Sequence, residues 1–256
     1  MEQSKEILSY KKKIVACLGS SSTAAKGPYD WIRDLEQRPD NSQLRFLRFA
    51  AGGDLSYNAL QRLPKLISFR PDYVVTLIGG NDVMASMPEK SQPTYYKVLL
   101  KLSKHLPRRP SPDWFKENAE IILTELKSNT SAKIALVSLP PWGENFDSPD
   151  PFQSELNRLF AQYNAILKEI SVTYKVGYIP FYERMEELIR ASPGKSMTGF
   201  KILPFYRDIF RQLVLHKSND EIGEMNGWRF HRDGIHLNST SGKLLANMVQ
   251  EFLTTG

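Results

Sequence analysis

The sequence predicts an α/β protein: a mainly parallel sheet of about five strands with helices on both faces. Two observations carry this prediction. Short β-rich runs alternate with helical stretches along the chain, a rhythm that right-handed crossovers turn into parallel strands. Three of the runs read as continuously buried rather than alternating, as strands covered on both faces do. A length of 256 residues suits one large unit of this kind.

The first strand is expected at residues 13–18 (KIVACL), the second at 44–49 (LRFLRF) and the third at 72–78 (DYVVTLI). The fourth follows at 133–139 (KIALVSL) and the fifth at 175–179 (KVGYI); the first, third and fourth are the buried runs. Helices are expected between them at 29–38, 55–68, 113–130 and 152–174, with 239–253 closing the chain. Two segments, 83–112 and 192–232, exceed the usual strand-to-helix connection of about 2 to 6 residues and are read as insertions into one domain. The first holds an amphipathic helix candidate at 95–102 between Pro88, Pro93, Pro107 and Pro110. The second holds another at 203–217, where Phe205, Ile209, Phe210, Leu213 and Val214 recur at helical spacing. Such helices are expected to pack their apolar faces on the domain; the sharper alternative is that they wall or cap a cleft.

Composition narrows the function classes. One cysteine, Cys17, and four histidines exclude a disulfide framework and a cysteine-rich zinc site. No run approaches the ~18 apolar residues of a membrane span. The opening MEQSKE carries acids and no apolar stretch, unlike a secretory signal, so a cytoplasmic location is expected. Lys and Arg number 34 against 28 Asp and Glu, a formal charge of +6. Apart from a local excess at Lys97, Lys101, Lys104, Arg108 and Arg109 the basic residues are scattered, and no nucleic-acid motif accompanies them, so nucleic acid is not expected as a partner.

In an open parallel sheet ligands bind beyond the carboxyl ends of the strands. There the sequence is polar and small: Gly19-Ser20-Ser21-Ser22-Thr23 after the first strand, Gly52-Gly53-Asp54 after the second, Gly79-Gly80-Asn81-Asp82 after the third. A serine at a strand-to-helix turn is a potential nucleophile, a glycine lets a backbone N–H approach an oxyanion, and an asparagine amide is a second donor. The base comes near the C-terminus, in Asp233-Gly234-Ile235-His236. The carboxylate can take one imidazole nitrogen there and leave the other for a serine. Each piece alone also reads as an ordinary turn or surface pair; the four together, in this order, point to acyl transfer.

These four blocks resemble those of SGNH hydrolases, the superfamily of GDSL esterases and lipases, and the resemblance runs from Gly19 to His236. It implies a flavodoxin-like three-layer α/β/α sandwich and a serine esterase needing no cofactor and no metal. It makes Ser21 the nucleophile, His236 the base and Asp233 the orienting acid. Ser21, Gly53 and Asn81 become the oxyanion donors. Ser20 departs from the family, standing where Asp is frequent, as does Ala50, three positions before Gly53, where many members have glycine; Thr23 sets the register in favour of Ser21. An acyltransferase with the same residues, or a ligand-binding module that keeps the fold without turnover, are the alternatives. The expected substrate is a small-molecule or lipid ester, and the apolar and basic residues of the two insertions suit peripheral contact with lipid. His105 and His216 are expected at the surface, and His231 lacks an acid three residues earlier. Trp142 either lines the cleft or packs, and Phe205, Phe210 and Trp228 are expected in the core.

Overall fold

The computed structural model describes residues 12–95, 106–200 and 202–255. Five strands form one sheet: β1 (Lys13–Gly19), β2 (Leu44–Ala50), β3 (Tyr73–Leu77), β4 (Lys133–Val137) and β5 (Gly177–Ile179). All are parallel and their order is β2-β1-β3-β4-β5. Val15 to Leu18 of β1 and all of β3 are buried, because helices cover both faces. The α/β/α sandwich expected from the sequence is therefore the observed fold.

The helices in chain order are α1 (Ser21–Ala24), α2 (Trp31–Glu36), α3 (Ser56–Leu60), α4 (Leu63–Ser68), α5 (Gly80–Ser86) and α6 (Pro93–Tyr95). They continue with α7 (Pro112–Asn129), α8 (Pro151–Tyr174), α9 (Phe181–Ala191), α10 (Ile202–Leu213), α11 (Asn219–Asn226) and α12 (Ser239–Thr255). α2, α9 and α12 share one face of the sheet; α3, α4, α5, α7 and α8 share the other. On the first face Asn41 and Gln250 exchange amide hydrogen bonds of 2.7 and 3.0 Å, tying the turn after α2 to α12. On the second, α7 starts at an N-cap, Ser111, whose hydroxyl accepts from Trp114 N at 3.2 Å, with Pro112 in its first turn. It buries Phe115, Ala119, Ile122, Leu123 and Leu126 along one stripe.

Several helices differ from expectation; α5 and α11, like α9, lie outside the expected ranges. The helix expected at 55–68 is two helices, since Pro64 has no N–H for the Leu60 carbonyl and its ring crowds that carbonyl. α9 was not among the expected helices, although Phe181, Met185 and Ile189 sit at helical spacing and are buried. α10 forms where the second insertion was expected to be helical, but facing the other way. Leu203, Phe210 and Leu213 are 80%, 53% and 69% exposed, and Val214 beyond the helix is exposed too. Asp208 is 1% exposed and bound to Asn226 Nδ2 at 2.8 Å and to Arg211 at 3.0 Å. Satisfying these polar groups inside outweighed burying the apolar stripe, so Phe210 is not a core residue. Trp228 is buried as expected. The helix expected at 95–102, apart from Tyr95, lies outside the described residues, as do Lys97, Lys101, Lys104, His105 and the side chain of Phe205.

Candidate active site

β1 and β3 are neighbours, and the chain leaves them for opposite sides of the sheet, which opens a crevice at their carboxyl ends. Ser21 follows β1 as the first residue of α1. This short turn is held by Thr23 N and Ala24 N donating to Ser20 O at 3.2 and 2.9 Å. Asp233, Gly234, Ile235 and His236 precede α12. Asp233 Oδ1 accepts from Ile235 N at 3.0 Å and His236 N at 2.8 Å, so the carboxylate folds its own turn. Gly234 sits at its tip with φ +86°, and a Cβ there would stand 2.6 Å from the Trp228 ring, so only glycine fits.

The turn aims the histidine. His236 Nδ1 lies 2.7 Å from Asp233 Oδ2 and Nε2 lies 3.0 Å from Ser21 Oγ. A carboxylate only accepts, so the ring hydrogen sits on Nδ1 and the Nε2 lone pair faces the serine hydroxyl. Burial opposes charge on Asp233, but the His236 ring and the N–H groups of His236 and Ile235 outweigh it and hold the carboxyl below the ordinary range.

The loops after β2 and β3, the strands that flank β1, meet each other. Asn81, in the first turn of α5, donates from Nδ2 to Asp54 O at 3.0 Å, next to Gly53. The entry to α5 requires Gly79: its φ is +136° and a Cβ would strike the Phe115 ring at 2.7 Å. Asp82 completes the junction. Its buried carboxylate accepts from Ser56 N at 2.9 Å and Ser56 Oγ at 2.6 Å, and Asn118 Nδ2 donates to the same hydroxyl at 3.1 Å. Burial pushes the Asp82 carboxyl up to about 7, against the pull of these Ser56 donors. Tyr95 reaches back to donate to Asn81 O at 3.0 Å. Trp142, after β4, is buried against Phe160 and over Gly80, so it packs and also floors the third block.

Sequence reasoning missed the acid partner of His231. That ring is fully buried, with Nδ1 2.9 Å from Glu144 Oε1 and Nε2 3.0 Å from Pro141 O. The acid comes from 87 positions away, so no local spacing signals it. With both nitrogens occupied this ring does not address the serine. His216 is exposed, as expected. Among the described residues no three His, Cys, Asp or Glu side chains gather as a metal site, and burial pushes the Cys17 thiol up, away from reactivity.

The sequence model of the GDSL-like lipase/acylhydrolase family matches residues 17–201. The chain belongs to this family. It is accordingly an ester-bond hydrolase of the GDSL, or SGNH, type. Among solved structures it is similar to a lipase/acylhydrolase from Enterococcus faecalis, at 18% identity and a TM-score of 0.57, covering 94% of this chain and 95% of that one. It is also similar to Axe2, an acetylxylan esterase from Geobacillus stearothermophilus, at 15% identity and a TM-score of 0.59 over 94% and 95% of the two chains. A GDSL-like lipase from Bacteroides thetaiotaomicron aligns at 16% identity and a TM-score of 0.57 over 96% and 89%. At such identities these structures share the fold. A comparison with curated proteins finds no match. Among the described residues no helix is long and apolar enough to cross a membrane.

Proposed function

We propose that the chain hydrolyses a carboxylic ester in two steps through an acyl-enzyme on Ser21. The observation that carries this reading is the hydrogen-bonded line from Ser21 Oγ through the His236 ring to Asp233, at 3.0 and 2.7 Å. Ser21 Oγ attacks the ester carbonyl carbon as its proton passes to His236 Nε2, and Asp233 stabilises the imidazolium. The negative oxygen is met by the N–H groups of Ser21 and Gly53 and by the Asn81 amide. The tetrahedral intermediate collapses, the alkoxide leaves with the proton from His236, and water repeats the sequence to release the acid. No step calls on a cofactor or a metal.

The test is labelling with a fluorophosphonate probe and peptide mapping. Adduct confined to Ser21 in the wild type, and lost in Ser21→Ala and His236→Ala, is the expected result. A folded wild type that stays unlabelled refutes the mechanism and favours the ligand-binding module. Product analysis with added alcohols separates hydrolysis from acyl transfer.

Within the ester substrates, the outward apolar face of α10 favours esters carried at a lipid surface. α10 is tied to the catalytic turn: Arg232, next to Asp233, donates from Nη1 to Gln212 Oε1 and to Gly27 O, both at 2.8 Å. Phospholipid vesicles should raise turnover of long-chain esters, and Phe210→Ser with Leu213→Ser should abolish that gain. Rates indifferent to vesicles, with short soluble esters far faster, refute the lipid preference.

A further inference from the structure

Glu144 takes no part in the acyl transfer written above, yet its carboxylate is fully buried and surrounded by donors. Oε1 accepts from Phe230 N at 2.7 Å, His231 N at 2.9 Å and His231 Nδ1 at 2.9 Å, and Oε2 from Arg229 N at 2.8 Å. Its backbone is pinned as well, with Glu144 N donating to Lys195 O at 2.9 Å and Gly194 N donating to Glu144 O at 2.7 Å. Burial works against its charge, but the His231 ring and the N–H groups of Arg229 and Phe230 prevail and hold the carboxyl below the ordinary range. The two His231 ring nitrogens face acceptors on opposite sides, Glu144 Oε1 at 2.9 Å and Pro141 O at 3.0 Å.

A buried carboxylate–imidazole pair is a poor way to gain stability, since apolar side chains of the same volume do as well or better. Its directional bonds suit fixing an orientation. The segment they fix leads straight into the catalytic turn. His231 pairs with Leu237 in an isolated antiparallel bridge, Arg232 N donates to His236 O at 2.8 Å, and Gly143 N donates to Gly234 O at 2.8 Å. Both limbs of the turn and its tip are thus referenced to the short stretch from Pro141 to Glu144.

We propose that Glu144 and His231 are positioning residues for the reaction: a buried strut from the loop after β4 that sets the Asp233–His236 turn against Ser21. This rests on the acyl-transfer reading above. Moving Arg229 to His231 moves His236, and a displacement of about 1 Å at a reacting group costs on the order of 10²-fold in rate.

The experiment compares the wild type with Glu144→Gln and His231→Gln by thermal unfolding, by kcat and KM on a 4-nitrophenyl ester, and by proton NMR of the His236 Nδ1 hydrogen. In Glu144→Gln an amide nitrogen meets an N–H that needs an acceptor. The expected result is a folded variant with kcat reduced about 10- to 100-fold, roughly unchanged KM and a shifted or broadened Nδ1 resonance. His231→Gln, which keeps a donor for Glu144 or Pro141, should show the same pattern more weakly, and it decides the matter if Glu144→Gln does not fold. Folded variants with wild-type kcat and an unmoved resonance, whatever their unfolding temperature, overturn the proposal. If the wild type turns over no ester, the acyl-transfer reading fails, while displacement of the resonance still decides whether the strut sets the turn.

Discussion

Asp82 couples the integrity of the site to pH, and the sign follows from its surroundings. Its carboxyl rises from an ordinary 3.8 to about 7 because burial penalises the charged form more than the Ser56 donors favour it. The folded protein therefore holds a proton there that the unfolded chain has already released. The stabilisation is complete below pH ~4 and is lost as pH rises to about 7; each pH unit in that window is about 1.4 kcal/mol, so the whole is on the order of 4 kcal/mol. Between pH 5 and 8.5 the loss is about 3 kcal/mol, equivalent to roughly 6–12 °C in unfolding temperature for a chain of this size. Asp82→Asn keeps an oxygen for Ser56 N and cannot ionise. Denaturant unfolding of wild type and variant at pH 5 and pH 8.5 isolates the term, since every other titrating group is common to both. The variant should lose about 3 kcal/mol less than the wild type over this interval. Parallel losses, within about 0.5 kcal/mol, would show that the buried carboxyl does not titrate as its surroundings require.

Two further outcomes are expected. Asn81→Ala removes a donor that the proposed mechanism assigns to the oxyanion, and kcat should fall ~10²- to 10³-fold. It also removes the bond to Asp54 O, at a stability cost of about 1 kcal/mol; steady-state kinetics with a thermal melt checks both, and an unchanged kcat would remove Asn81 from the oxyanion site. Gly234→Ala forces a Cβ into the Trp228 ring at φ +86° and should cost about 1–3 kcal/mol of stability. Activity should fall with it; an unaltered melt would mean that the turn relaxes freely.

Much of the candidate site could be read along the chain because each piece is local. Gly19 to Thr23, Gly53 and Gly79 to Asp82 each follow a strand whose apolar run marks where it ends, and Asp233 and His236 share one turn. What could not be read is long-range. Periodicity marks 203–217 as an amphipathic helix but does not say which face meets water. That was decided by Asn226 on α11, which binds Asp208, and by Arg232 and Gly27, which meet Gln212. The break between α3 and α4 was legible in Pro64, whereas α5 carries no amphipathic stripe, since Asn81 to Ala85 are all buried.

The sequence by itself determined the alternation of strands and helices, the polar loops at the strand ends and the Asp233–His236 pair, all of which depend on residues within a turn or two of each other. Only the tertiary structure decided that Ser21 meets His236 across 215 positions and that Glu144 meets His231 across 87. Such contacts depend on strand order and on the packing of loops from different strands, and no local pattern of residues encodes the distance between them.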